Sequence, residues 1–508
     1  MLRTLRWAFL LLIPRATSPA PPDPHALVDA AIAAMGGREM LSGLTSFRLN
    51  GIEHQYILGN AERAEGPWRT QYSRFSELWD VANDRLRRTE ANPAAVPGTA
   101  GAVERVSIVT DSVMASTVGP RTVPGYGGFY EDYRDRTNGS PSRLLLTAAA
   151  SPSLKWEKMI NRFGVSHDVV SFRTPNGPVR IELDRSSHLP TAVEIVRQPV
   201  LESRRMIFGD VTVRTEFVDW VAQSNGLWWP MQQRYLFNGE LFRDLTVMRI
   251  EPLAGTAPDS FLVADSTRAA YMKGVRGGAA YFKFGDRPEP PQPGGDIVRI
   301  ADNWAMTLVK QDDGVVVFEA HLSEQYIKQV VTEVQRRWPG AKIKAFVLTS
   351  DPWAHLGGVR EVIAMGLPIY VSAGSVPFLT SIARAPFTLH PDDLARAPKP
   401  PRFIPVSAKT VIGTGMNRIE LFPVGGAYAE RMTMAYFPER RMLYGADLVF
   451  PDRAPAGSPP LKTFTATPAI DLRRAVAREG LRVDSLFCVQ ASYPIFAWAD
   501  FIPTGAQH

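Results

Sequence analysis

Two side chains in the second half of the chain, His355 and Asp447, have the types and the placement to do chemistry. His355 sits in a loop that leaves a short apolar β-run (345–349) and enters a helical stretch (359–365) capped by Gly366. In a strand–loop–helix unit, working side chains gather in the loop at the carboxyl end of the strand. Ser350, Asp351, Pro352 and Ala354 share that loop. Asp447 follows a hairpin (432–437 and 442–444), in the run Gly445-Ala446-Asp447. An imidazole nitrogen and a carboxylate oxygen can together hold a divalent metal or exchange a proton. Two donors do not complete a tetrahedral site. Asp351 is near enough to swing toward His355. His321, just after the strand ending in Glu319, and His390, beside Asp392 and Asp393, are the other histidines to weigh. Each also has a plainer reading, as a loop-packing, capping or solvent-facing polar residue. Ser350, His355 and Asp447 make an awkward hydrolytic triad, because the serine precedes the histidine by five residues in one loop. The sequence has no G-x-S-x-G elbow, phosphate loop or dinucleotide fingerprint in the required setting.

The elements that carry these residues alternate between strand and helix. Residues 304–309 and 315–319 read as paired strands around Asp312-Asp313-Gly314. Ser323 then caps a helix whose apolar stripe is Tyr326, Ile327, Val330, Val331, Val334 and Trp338, and Pro339-Gly340 ends it. This alternation predicts an α/β layer domain over 296–505.

The layout of the His355 loop, with Gly357-Gly358 behind it, resembles the metallo-β-lactamase superfamily and its H-x-H-x-D-H-x-G-G signature. Counted back from the glycines, the signature positions are Ser350, Pro352, Ala354 and His355. The resemblance runs on through Pro423-Val424-Gly425-Gly426-Ala427-Tyr428, where family enzymes place a histidine at Tyr428. It continues to Asp447, at the metal-bridging carboxylate, and to Gln490, at the final ligand. Of the seven positions only His355 and Asp447 keep a metal donor. The resemblance implies an αββα sandwich and, in its enzymes, a zinc-bound hydroxide that hydrolyses an ester, amide or thioester. The residues present imply a catalytically degenerate member with no metal bound in the family's manner. Zinc or another divalent ion is expected only if a working hydrolase survives on an unusual His355–Asp447 site. Without metal, His355 and Asp447 are expected to attract each other across the cleft, with Tyr428 filling the vacated space.

The first half reads differently. An amphipathic helix (25–36) ends at Gly36-Gly37, and β-signals then dominate to about residue 265, the best hairpin spanning 167–196. Helical interruptions are expected at 143–150 and 154–160. Successive antiparallel hairpins suggest one large curved sheet. Its pattern is similar to periplasmic lipoprotein carriers, which implies a concave face for a small or apolar ligand. Prolines and glycines mark 266–295 as a linker. Arg3, Arg6 and the apolar run 7–13 resemble a signal peptide over 1–20, so a periplasmic or secreted location is expected. The fold class is therefore mixed α+β and α/β, with an antiparallel curved-sheet domain over 25–265 and a sandwich domain over 296–505. Apolar residues make up 45% and charged residues 21%, enough for a sizeable core. The net charge of +6 is interspersed, with no basic block for nucleic acid, and no apolar run is long enough to span a membrane. A single cysteine, Cys488, excludes a disulfide framework.

Overall fold

The computed structural model describes residues 21–57, 63, 69–92, 103–125, 127–175, 177–199, 206–275, 289–301, 305–351, 353–452, 463–490 and 493–505. The expected signal segment (1–20) and Pro352 lie outside these residues, and the side chain of Ala354 is likewise not described. No helix among the described residues is long and apolar enough to cross a membrane.

Among the described residues, the strands between Ser46 and Pro252 form one antiparallel sheet of thirteen. Numbered along the chain, their spatial order is 6-5-4-3-2-1-13-12-11-10-9-8-7. The first strand, Ser46–Ile57, pairs with the last, Glu240–Pro252, which joins two meanders into one surface. Thirteen strands laid flat would span roughly 60 Å. Yet one core cluster takes in Met114, Phe75, Leu245, Val213 and Val170, from strands spread across the sheet, together with Val28, Ala31, Leu144 and Leu145 from short helices. The sheet must curl around those helices to bring them all together. The helices Pro24–Ala34, Gly127–Asn138 and Pro141–Ala149 fill this face. A buried ion network ties the second of them down. Arg136 makes a two-pronged bond to Glu77 at 2.5 and 2.8 Å, and Arg88 reaches Glu77 at 2.7 Å and Glu53 at 2.5 Å. The face is thus packed. Open space lies at its margin, where a cavity of about 790 Å³ is lined by Tyr130, Arg134, Phe172, Arg197 and His390, among others.

Two stretches differ from expectation. The stretch 154–160, read as helical, is instead strand from Lys155 on: Lys155–Arg162 pairs with Val165–Thr174 through a turn with Phe163 at φ +51° and Gly164 at φ +84°. That turn chemistry outweighs helix propensity. The strand lies at the sheet's edge, where Lys155, Lys158 and Arg162 discourage further pairing. The segment read as a linker from 266 begins as helix: Asp265–Val275 packs Tyr271 into the first core. Gln292, further along, bonds the backbone of Arg299 at 2.8 and 2.9 Å, so 289–295 is fastened to the next domain.

Beyond Ile297 two six-stranded sheets follow, each in chain order. The first runs Ile297–Ala301, Ala305–Gln311, Gly314–Phe318, Ile343–Val347, Pro368–Ser372 and Arg402–Val406, with its last four strands parallel. The second runs Thr410–Ile412, Ile419–Pro423, Thr433–Phe437, Met442–Tyr444, Ser485–Phe487 and Phe496–Ala497. Period-two alternation separates the faces of the first sheet. Val315 and Val317 pack with the helices Glu324–Arg337, Val359–Met365 and Val376–Ala383, whereas Val316 and Phe318 face the second sheet. The helix Ala466–Arg478 packs into the core of the second sheet through Ala469, Leu472 and Val476.

Candidate functional site

The site lies where strands of both sheets end. Gly314–Phe318 delivers Glu319 and His321, Ile343–Val347 delivers Thr349 and the His355 loop, and Met442–Tyr444 delivers Tyr444 and Asp447. The Gly357-Gly358 pair lets the His355 turn lie against the 319–323 segment. A Cβ on Gly357 would stand 2.2 Å from the Leu322 carbonyl oxygen, and one on Gly358 2.3 Å from Ile327 Cγ1. Two backbone bonds lock the approach: Ala320 N–H donates to His355 O at 3.1 Å, and Gly358 N–H to Ala320 O at 2.8 Å. Glu319 (φ +71°), Leu322 (φ +66°) and Ala446 (φ +48°) hold left-handed backbone that side chains disfavour. Such strain gathers at sites where geometry matters more than local stability.

His355 occupies the centre. Its Nε2 is 2.6 Å from Asp447 Oδ2, and its Nδ1 is 3.4 Å from Glu319 Oε2, too far to satisfy that nitrogen. Burial pushes the imidazole toward neutrality, but Asp447 first and then Glu319 outweigh it and raise its pKa to about 10. Glu319 is braced on its other oxygen, where the Thr349 hydroxyl donates and Tyr444 Oη donates at 3.1 Å. His321 lies beside His355 with ring centres 4.8 Å apart and planes tilted by 46°, and neither of its nitrogens has a hydrogen-bond partner. Burial, then the neighbouring His355, holds it neutral. Glu319, His321, His355 and Asp447 are all 0–1% exposed.

The attraction expected between His355 and Asp447 is present as a direct contact. The other family positions have turned to different tasks. Gln490 points its amide N–H at Asp447 Oδ1, 3.3 Å away, as a donor rather than a ligand. Asp351 does not swing to His355 but pairs with Arg431 at 3.1 Å. Tyr428 packs edge-on against Phe450, its backbone N–H held by Asp471 at 2.7 Å, and the tyrosine hydroxyl that joins the cluster is Tyr444's. Ser350 is buried with its hydroxyl unpartnered. His390 is exposed, far along the chain, and bonded through its backbone to Gln198. The zinc pair implied by the superfamily signature therefore does not fit these residues. Glu319 and Tyr444 were not singled out from sequence. His321 was weighed without a known direction. Glu319 and His321 follow one strand and Tyr444 ends another, and the pairing of those strands sets their aim.

No protein-family model matches the sequence, and no curated protein matches it either. Among solved structures, the chain is similar to a metallo-beta-lactamase from Pontibacter korlensis (15% identity, 42% of this chain and 94% of that one, TM-score 0.31). It is also similar to a metallo-beta-lactamase from Erythrobacter litoralis (14% identity, 43% and 95%, TM-score 0.31). A third is the stereoselective inverting sec-alkylsulfatase of a Pseudomonas species (14% identity, 41% and 39%, TM-score 0.30). At such scores the likeness decides nothing by itself. The two facing sheets and their helices stand on their own strand order and cores.

Proposed function

We propose that the chain is a relative of metallo-β-lactamase-fold hydrolases that has lost hydrolytic chemistry at the family's metal position. On this reading it acts by binding a small or apolar ligand. One observation carries the reading: His355 is clasped between Asp447 and Glu319 in a cluster that is 0–1% exposed. A hydrolytic metal centre keeps one coordination position open to water and substrate, and a cluster sealed to this degree gives substrate no place. The cavity at the margin of the N-terminal sheet, which mixes Phe172 and Tyr130 with Arg134 and Arg197, supplies the open space for a ligand. The test is a panel of chromogenic ester, thioester, lactam and sulfate-ester substrates, run with the purified chain after addition of zinc or manganese. No turnover above the His355→Ala variant is expected. Metal-dependent turnover abolished by His355→Ala would overturn the reading and establish a working hydrolase.

A further inference from the structure

We propose that Glu319, His321 and His355 form a closed binding site for one divalent transition-metal ion of the zinc type, with Asp447 bracing His355 from behind. One donor atom from each of the three lies within 4.8 Å of the others. Donors around a zinc ion with bonds of about 2.0–2.1 Å stand roughly 3.4 Å apart, so closure needs shifts on the order of an ångström. The set is not the superfamily's: Glu319 and His321 lie outside its signature, and Asp447 moves from ligand to support.

Three independent features point to an occupant. The first is a group of orphaned nitrogens. His321 Nδ1, His321 Nε2 and His355 Nδ1 are all buried without a hydrogen-bond partner. Buried polar atoms left unsatisfied are costly and rare. The second is charge. Glu319 and Asp447 are two fully buried carboxylates, and among the described residues their ion pairs are to His355 alone, with no lysine or arginine. A dication on two carboxylates and two neutral imidazoles balances that charge. The third is the support around the donors. Metal-binding histidines usually give their other ring N–H to a carboxylate, and His355 Nε2 stands 2.6 Å from Asp447 Oδ2, an oxygen with no hydrogen-bond partner of its own, so a small turn of the ring makes that bond. Glu319 Oε1 is held by the Thr349 hydroxyl and Tyr444, while Oε2, which accepts only a long bond of 3.4 Å from the Thr349 backbone N–H, faces His355 Nδ1.

Imidazole and carboxylate donors without thiolate suit zinc, cobalt and neighbouring first-row ions. Three protein donors leave the fourth position of a tetrahedral ion to one trapped water, and because the donors are 0–1% exposed no substrate reaches it, so the ion's role is to stabilise the fold. Its effect would be to clamp the ends of both sheets, because Glu319 and His321 leave one strand, His355 follows another, and Asp447 comes from the facing sheet.

The experiment uses the full chain, stripped with chelator, dialysed and titrated with zinc by calorimetry and with cobalt by visible absorption. One ion per chain is expected, with a cobalt ligand-field spectrum of nitrogen and oxygen donors and a thermal midpoint raised by zinc. His321→Gln and Glu319→Gln should each weaken zinc binding at least about 100-fold, and Asp447→Asn about 10–100-fold. Unchanged affinity in His321→Gln would overturn the site and assign its nitrogens to a trapped water. Should a variant fail to fold, the unmutated chain still decides: no zinc heat and no cobalt spectrum overturn the proposal. The outcomes separate this site from the functional reading above. Metal without turnover supports both. Metal with turnover keeps the site and overturns the degenerate reading. No metal overturns only the site.

Discussion

At the residue scale, Gly357 decides whether the cluster can assemble. Any side chain there would meet the Leu322 backbone, with its carbonyl oxygen at 2.2 Å and its carbonyl carbon at 2.3 Å. Leu322 is itself held at φ +66° and fully buried, so it has little room to retreat. Gly357→Ala should therefore cost at least about 3 kcal/mol, the upper range for overpacking. It should also move His355 away from Asp447 and Glu319, because the Ala320–His355 and Gly358–Ala320 backbone bonds depend on the same approach. Urea denaturation checks the cost, and a histidine NMR signal shifted from its unmutated position checks the displacement. If the variant is as stable as the parent, the glycine pair is not the seat of the contact. His355 and Asp447 are legible because each sits in a loop that follows a strand in a recognisable frame. Glu319 is not, since its side chain turns inward only through a left-handed backbone angle that no local pattern announces. His321 can be named from sequence as a histidine to weigh, but its aim cannot be read, because its neighbour in space is 34 positions away.

At the scale of elements, the helix Gly127–Asn138 is fixed to the large sheet by charge as much as by apolar contact. Burial pushes the Glu77 carboxyl up, but Arg136 and Arg88 outweigh it and hold its pKa at about 2, against an ordinary value of 4.5. A carboxylate whose folded pKa is depressed stabilises the fold above its unfolded value and loses that contribution as pH falls toward the folded one. The sheet domain should therefore lose stability between about pH 4.5 and about pH 2. Glu77→Gln should remove this part of the acid sensitivity. At neutral pH it should cost about 3–5 kcal/mol, because two buried guanidinium groups lose their partner. Denaturant titrations at neutral and acid pH, monitored on both proteins, test the slope. A variant that keeps the full acid dependence would shift the explanation to Glu53, whose carboxyl is also held below its usual range, with burial opposed by Arg243 and Arg88. The sheet's antiparallel character was visible in its hairpin turns. Its ion network was not, because Glu77 and Arg136 are 59 residues apart and only the curl of the sheet brings them together.

At the scale of the whole molecule, the two halves are joined by more than the connecting chain. The segment Met206–Phe208 leaves the first sheet and lodges in the helix-side core of the second half. Ile207 is 3% exposed there, and Phe208 sits edge-on between Phe237 of its own half and Phe378 of the other. Asp210 secures the contact by accepting from the backbone N–H of Thr388 at 2.8 Å and of Leu389 at 3.2 Å. Gly209 lies so close to Pro386 that a Cβ would fall 1.9 Å from its carbonyl oxygen. A cut between 276 and 288 should therefore leave the two pieces associated, although the division read from sequence treats them as separate folding units. Truncating the plug is the sharper test. Ile207→Ala removes a buried side chain from the helix-side core of the second half, and a cost of about 2–4 kcal/mol is expected. That cost falls on the junction, so unfolding of the intact variant should split from one transition toward two. The cut variant should separate on a sizing column where the cut parent does not. A single unshifted transition, together with separation of the cut parent, would mean that the halves are coupled only through the chain and that the plug is incidental.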